Sequence, residues 1–459
     1  MTAQVDANAT GLDTAELLRI VEGIAAQARP GEQLEAYVGR SVSTTVKAYQ
    51  GEVESISSAQ NQGIGIRVIS DHRQGFAHCG TLDPAVIAET LAEARDNVRF
   101  GQADEFLGLA MPDGVEAVEH DTWNDAVVML PADRKVTLAL EMERAVRGLD
   151  PRITGVRTAT YADSAGEAAV ASSNGITATA RGTSCSVSVL ALANDGGETK
   201  TGGGVDVGRD PAVLDLSRTA ADAVHRAVRL FGAKAVPSQT VTVFLEPRLA
   251  VTLLGLATAT LDGETVQKGR SPFADRVGEL IASPLLTVFD DATDPASLGA
   301  TSHDGEGLAC RRNAMIENGV LRGFLQNSYT ARKDGTVSTG SALRGYRSTP
   351  GVGPHVLVLT PGTLAHDDLL ATVDNGVYVT SFSGLHSGVN TISGDFSAGV
   401  EGLMIRNGAM AEPVREVTLG STIQKLMLDI RAVGADREWL PGGTGSASIV
   451  IDGVRLSGT

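Results

Sequence analysis

Asn-Gly and Asp-Gly pairs punctuate the second half of the chain, among them Asp304-Gly305, Asn318-Gly319, Asn375-Gly376 and Asn407-Gly408. Such pairs accept positive φ readily, and that is the geometry of a tight hairpin in a twisted sheet. "MIENGVLRGFL" and "LMIRNGAMAEPV" therefore read as apolar strand, turn, apolar strand. A segment interrupted this often cannot run as long helices. From Leu285 onward the chain is expected to be β-rich, with a sandwich or barrel-like sheet. One late helix is expected over 422–433.

The first half alternates helix and strand signals. Asp13 and Glu16 have capping-box spacing, and Leu17, Ile20, Val21 and Ile24 then share one helical face, predicting a helix over 14–28. Strands are expected over 34–38, 41–50 and 63–70, with a turn at Gln50-Gly51. Asp83-Pro84 opens a helix. The order then repeats: a helix over 132–147, strands over 155–161, 168–172 and 176–192 with a turn at Asn174-Gly175, and a helix opened by Asp210-Pro211 and running to Leu230. "GAKAVPSQ" reads as a linker. The expected fold is α+β. An N-terminal helix/sheet region spans 1–235, divisible into 1–110 and 111–235, and a β-rich domain spans 236–459.

The net charge of −17 disfavours a nucleic-acid partner or an anionic membrane surface, because phosphate binding needs a basic face. Cys79, Cys185 and Cys310 have no paired spacing, so neither a zinc ribbon nor a disulfide framework is indicated. The first residues show no basic and apolar leader pattern, and no apolar run approaches the ~20 residues of a membrane helix. The expected location is cytoplasmic.

Candidates for chemistry are scattered. His303, Asp304, Glu306 and His386 could converge on a metal, since His with carboxylate suits zinc. The plainer reading is that Asp304-Gly305 is a hairpin turn with solvated neighbours, since Asp-Gly pairs are common in turns. "GGTGSASIV" and "SFSGLHSG" do not form a nucleophile elbow, and "TKTGGGVDVG" lacks the Lys-Ser/Thr ending of a phosphate loop. Cys310 precedes two arginines but reads as structural.

"VTLLGLATATLDGETVQKGRS" is a puzzle. An apolar helix breaks into a polar loop, as at many sites, yet 253–261 hold no His, Cys, Asp or Glu. Together with "LTVFDDATDP", "TSHDGEGLACRRNAMIENGVLRGFLQNSYTARKDG", "STGSALRG" and "GVYVTSFSGLHSGVNTISGDFSAGVEGLMIRNGAMAEPVREVTLGSTI", this stretch resembles the TldD/PmbA metallopeptidase family. The similarity spans roughly 240–436, on the PmbA or TldE side of the family.

The resemblance implies a comparison. The TldD-type subunit carries His-Glu-x-x-x-His before this loop and a later Cys, which hold zinc with the Glu as general base. A five-residue step turns about 140° around an ideal helix, so such a site needs a distorted or ending helix. Here Leu254, Gly255 and Ala259 occupy the His, Glu and His positions, and "WLPGGTGSASIVIDG" has no Cys. The family thus implies a TldE-like chain that binds no cofactor itself. A TldD-like partner would supply zinc in a heterodimer acting on short or unfolded peptides or a natural-product intermediate. Residues that could line the shared cavity are Glu264, Lys268, Arg270, His303, Asp304, Arg312, Tyr329 and His386. Two alternatives stay open: a stand-alone hydrolase with a metal relocated to His303, Asp304, Glu306 and His386, and a non-enzymatic binding or scaffold protein.

Overall fold

The computed structural model describes residues 13–459. Residues 1–12, on which the expectation of no leader pattern falls, lie outside the described residues. A first unit comprises α1 (Thr14–Ala25), β1 (Glu32–Tyr49), β2 (Glu52–Ser70), β3 (Arg73–Cys79) and α2 (Pro84–Asn97). After the short α3 (Asp125–Val128), the same order returns: α4 (Ala132–Val146), β4 (Ile153–Ser172), β5 (Thr177–Asp195), β6 (Glu198–Gly208) and α5 (Leu216–Val228). All six strands form one antiparallel sheet, ordered β3-β2-β1-β4-β5-β6. The two units therefore meet where β1 pairs β4, and the repeat in the sequence becomes a repeat in space.

Alternation builds the core of this half. Leu34, Ala36 and Val38 on β1 and Ile64, Ile66 and Val68 on β2 turn toward α1 and α2. Tyr161 on β4 and Val187, Val189 and Ala191 on β5 turn toward α4 and α5. Several local expectations need correction. The strands expected at 34–38 and 41–50 are one strand, because Gly39 and Arg40 pair straight through with Gly63 and Gln62. Those at 155–161 and 168–172 merge likewise, the polar residues between them being paired on both sides. Asp13 caps α1 through Ala15 N, but Glu16 does not reach back to complete the capping box and instead pairs with Arg40 at 3.1 Å. Asp210-Pro211 opens only a single 3-10 turn, and α5 starts afresh from Asp215, whose carboxylate accepts from Arg218 N.

The other half begins with β7 (Gln239–Leu245), α6 (Pro247–Thr258), α7 (Gly263–Gln267) and β8 (Val288–Asp291). It continues through β9 (Arg312–Glu317), β10 (Val320–Leu321), α8 (Ser328–Asp334), β11 (Ala342–Leu343), β12 (Gly351–Val352) and β13 (Leu357–Leu359). Then come α9 (His366–Ala371), β14 (Asn375–Ser383), α10 (Leu385–Gly388), β15 (Asp395–Arg406), β16 (Ala409–Thr422) and α11 (Ile423–Leu428). The last strands are β17 (Ile430–Val433), β18 (Glu438–Trp439), β19 (Gly445–Ser446) and β20 (Ile449–Ser457). Strands β16-β15-β14-β7-β20 close into a five-stranded barrel through the pairing of β16 with β20. A second sheet runs β10-β9-β8-β13-β19-β18. Leu253 and Leu254 of α6, Val243 and Val377 of the barrel, and Val288 and Leu359 of the second sheet share one apolar core.

The sequence expectation of a β-rich half with a barrel-like sheet holds. Asn318-Gly319 and Asn407-Gly408 are tight turns, with φ of 50° and 78° and of 50° and 76°. Asn375-Gly376 is not a turn; it opens β14 opposite Arg406 and Ile405. Gly376 is required there by close approach, since a Cβ would lie 2.6 Å from the Thr242 carbonyl oxygen. The late helix stops at Leu428, because Ile430 and Val433 are claimed by pairing with β20. Among the described residues, no helix is long and apolar enough to cross a membrane.

Candidate substrate cavity and the α6 face

The α6 segment is a regular helix because leucine and alanine propagate it and Pro247 fits its first turn. Leu254 is packed into the core at 1% exposure. Gly255 and Ala259 lie on another face, and the helix ends at Thr258 with Ala259 as its cap. None of the three side chains can hold a metal or move a proton, so this helix does not fit a zinc ion.

The Asp304-Gly305 segment is a turn, with Gly307 N donating to the Asp304 carbonyl at 3.0 Å, but its neighbours are not solvated. Asp304 is buried, and its carboxylate accepts from Glu306 N at 2.9 Å, Leu308 N at 3.0 Å and Ala342 N at 3.1 Å. Burial and the neighbouring Glu306 raise its pKa. Glu306, 1% exposed, accepts from Ser328 N at 2.8 Å and faces Arg67 at 3.6 Å. These carboxylates are engaged by the protein. His386 is exposed on α10, and no group of three or more His, Cys, Asp or Glu among the described residues is placed to hold a metal. The structure therefore does not assemble His303, Asp304, Glu306 and His386 into the relocated metal site.

Around this turn the two halves are locked by buried charge. Glu35 on β1 takes two hydrogen bonds from Arg67, at 3.1 and 2.9 Å, and a further one from Arg344. Burial alone would raise Glu35, but the two guanidiniums outweigh it and hold its pKa below the usual carboxylate value. Tyr346, two residues beyond Arg344, donates to Asn61 at 2.8 Å and lies over Gly63 and Gly65. A Cβ on Gly65 would sit 2.2 Å from the Tyr346 carbonyl oxygen. Gly65→Ala is thus expected to destabilise the protein by about 1–3 kcal/mol through overpacking, read from urea unfolding.

A polar cavity of about 830 Å³ lies between the long sheet and loops of the second half. Arg40, Arg181, Glu167 and Ser164 bound it from the sheet, Arg209 from just beyond β6, and Ser302 and Tyr346 from the second half. It adjoins a recess of about 240 Å³, the two sharing Tyr37, Thr179 and Thr301. His303, Asp304, Arg344 and His355 line the recess. Burial lowers His303 and takes His355 down to about 4, so both rings are neutral at pH 7. Among the described residues, His303 Nδ1, His355 Nε2 and Arg344 Nε and Nη2 find no hydrogen-bond partner. Such a recess offers donors and acceptors to a polar group, but no paired nucleophile and base.

Of the eight residues expected to line a cavity, His303 and Asp304 line the recess and none lines the larger space. Glu264 is paired with Lys268 on α7, Arg270 is exposed, and Arg312 stacks 3.8 Å over Phe289 beside Asp291. Tyr329 donates to Asp104 at 2.7 Å, and that bond raises its hydroxyl pKa to about 12. Cys310 is buried and its thiol is pushed up by burial, so it is not a reactive thiol. Arg344 and His355, which sequence reasoning missed, flank the recess. "STGSALRG" carries the arginine, but nothing local marks its partner, which is 309 residues away.

Three family models match the chain in succession: PmbA/TldA metallopeptidase domain 1 over residues 34–98, the central domain over 128–231 and the C-terminal domain over 238–458. Metalloprotease PmbA of Escherichia coli O157:H7 is 27% identical over 409 residues, 88% of each chain. A metalloprotease TldD homolog of Haemophilus influenzae is 26% identical over 424 residues, 87% of each chain. The crystal structure of TldE from Thermococcus kodakarensis has the same fold, with a TM-score of 0.85 at 24% identity over 97% of this chain and 99% of that one. With all three domain models met in order and relatives matched along most of their length, the chain belongs to the PmbA/TldD metallopeptidase family.

Proposed function

We propose that this chain is the non-metal, TldE-like subunit of a two-subunit zinc metallopeptidase. The observation that carries this reading is the α6 face: Leu254 is buried in the core, while Gly255 and Ala259 offer no donor on an otherwise regular scaffold. A TldD-like partner would supply the zinc and the general base. This chain would shape the cavity that admits short or unfolded peptides, or a peptide-like intermediate, in the cytoplasm. The polar space between the halves is large enough for several residues of extended chain, and main-chain pairing would make such binding sequence-tolerant.

The test is reconstitution. After zinc loading and desalting, the chain alone is expected to retain a metal-to-protein ratio near zero and to show no peptidase activity. Mixing with its TldD-like partner is expected to produce hydrolysis that neither chain shows alone. A ratio near one, or full activity from the partner alone, would overturn the assignment.

A further inference from the structure

The face of α6 that carries Gly255 and Ala259 also carries Arg248 and Thr252, because steps of three and four residues return to one side of a helix. A groove of about 340 Å³ runs past Arg248 and Thr252, between α6 and β14 on one side and α5 and β6 on the other. Arg226 of α5 and Arg229 at its C-terminal cap line it, with Phe382 as an apolar wall and Glu401 beside them.

Arg248 is engaged, its Nη2 donating to the Thr380 carbonyl at 2.9 Å, but the charge of Arg229 and Arg226 is not closed. Glu246 serves two guanidiniums: Arg248 Nε at 2.8 Å and Arg229 at 3.7 Å, and it also accepts from the Tyr378 hydroxyl at 2.9 Å. The Arg229 side chain is only 9% exposed, lies 5.6 Å over the Tyr378 ring, and its Nε and Nη2 find no hydrogen-bond partner among the described residues. Arg226 donates to the Gly203 carbonyl at 2.7 Å and has only a distant carboxylate, Asp222 at 3.8 Å. Glu401 is drawn toward Lys200 at 3.7 Å. Burial and Arg248 lower the pKa of Arg226, and burial with Arg229 and Arg226 lowers that of His225. A buried guanidinium lacking hydrogen bonds is costly unless an acceptor completes it.

We propose that this groove is a carboxylate-binding subsite, in which Arg226, Arg229 and Arg248 receive the C-terminal carboxylate of a peptide whose last side chain rests on Phe382. Guanidinium forks match a planar carboxylate with paired hydrogen bonds. Glu401 beside these arginines disfavours a phosphate dianion. The choice of a peptide as carrier rests on the function proposed above; the carboxylate preference rests on the groove.

The probe is an N-acetylated tripeptide ending in leucine, titrated calorimetrically into the full chain as the free acid and as the C-terminal amide. The acid is expected to bind about tenfold tighter or more. Arg226→Gln and Arg248→Gln are each expected to weaken the acid about fivefold or more and to leave the amide unchanged; Arg248→Gln is also expected to lower the melting temperature, because it removes a partner of the buried Glu246. Arg229→Lys, which keeps the charge opposite Glu246, is expected to weaken the acid without unfolding the chain. Equal binding of acid and amide, no binding of either, or inorganic phosphate competing as well as the acid would each overturn the subsite. A reconstituted pair that cleaves acid and amide alike would leave the proposed function standing and remove this inference. An inactive pair with acid-selective binding by this chain would do the reverse.

Discussion

Glu35→Ala is expected to cost about 3–5 kcal/mol of unfolding free energy, the range for breaking a buried ion pair from one side. Glu35 is 1% exposed, and it neutralises Arg67 on its own sheet and Arg344 from the other half. Removing it leaves Arg67 with Glu306 at 3.6 Å and Arg344 with no carboxylate, its side chain fully buried. A charge stranded in low dielectric has no cheap relaxation. Urea unfolding would read the loss, and protease cleavage within the Arg344–Tyr346 loop should rise, because that loop is held by the same network. Arg344→Met in the Glu35→Ala background should recover part of the loss, since the stranded charge is then gone; the coupling energy would be of the order of 1–3 kcal/mol. Additive effects of the two substitutions would show that the pair does not couple the halves.

Asp290 makes the second large prediction, and it is a prediction about pH. Its carboxyl is 1% exposed, and burial raises its pKa to about 6 against the hydrogen bonds it accepts from Val356 N, Ser341 and His355 N. The folded state therefore holds this proton more tightly than the unfolded chain does. Stability from this group is fully present below about pH 4 and falls as pH rises to about 6, because ionisation is then easy unfolded and costly folded. A carboxyl held about two pH units above its free value corresponds to about 3 kcal/mol. Asp290→Asn keeps an acceptor for His355 N and Val356 N and offers a donor to Ser341, without an ionisable proton. Its stability relative to the natural chain is expected to rise by up to about 3 kcal/mol between pH 4 and pH 7. A difference that stays constant over that interval would mean that Asp290 is ionised throughout.

Much of the local structure was legible because its causes are local. Asn318-Gly319 and Asn407-Gly408 form turns since their own backbone preferences suit positive φ. The Asp83 cap and Pro84 start α2 by short-range hydrogen bonding and fixed φ. The blank positions Leu254, Gly255 and Ala259 needed only residue identity against a family pattern.

Tertiary structure decided the rest. Polar stretches such as Ala162–Glu167 became strand because neighbours on both sides supplied hydrogen bonds, which no periodicity within the stretch announces. Asn375-Gly376 looked like a turn and became a strand start because β7 approaches it closely. Asp304 looked solvated and is buried, because Ala342 closes over it from 38 residues away. The sequence by itself determined where the backbone could turn, which faces were apolar and which metal donors were missing. Only the fold could decide which charges are buried together, because Glu35 meets Arg344, and Arg229 meets Tyr378, through pairings that no local spacing encodes.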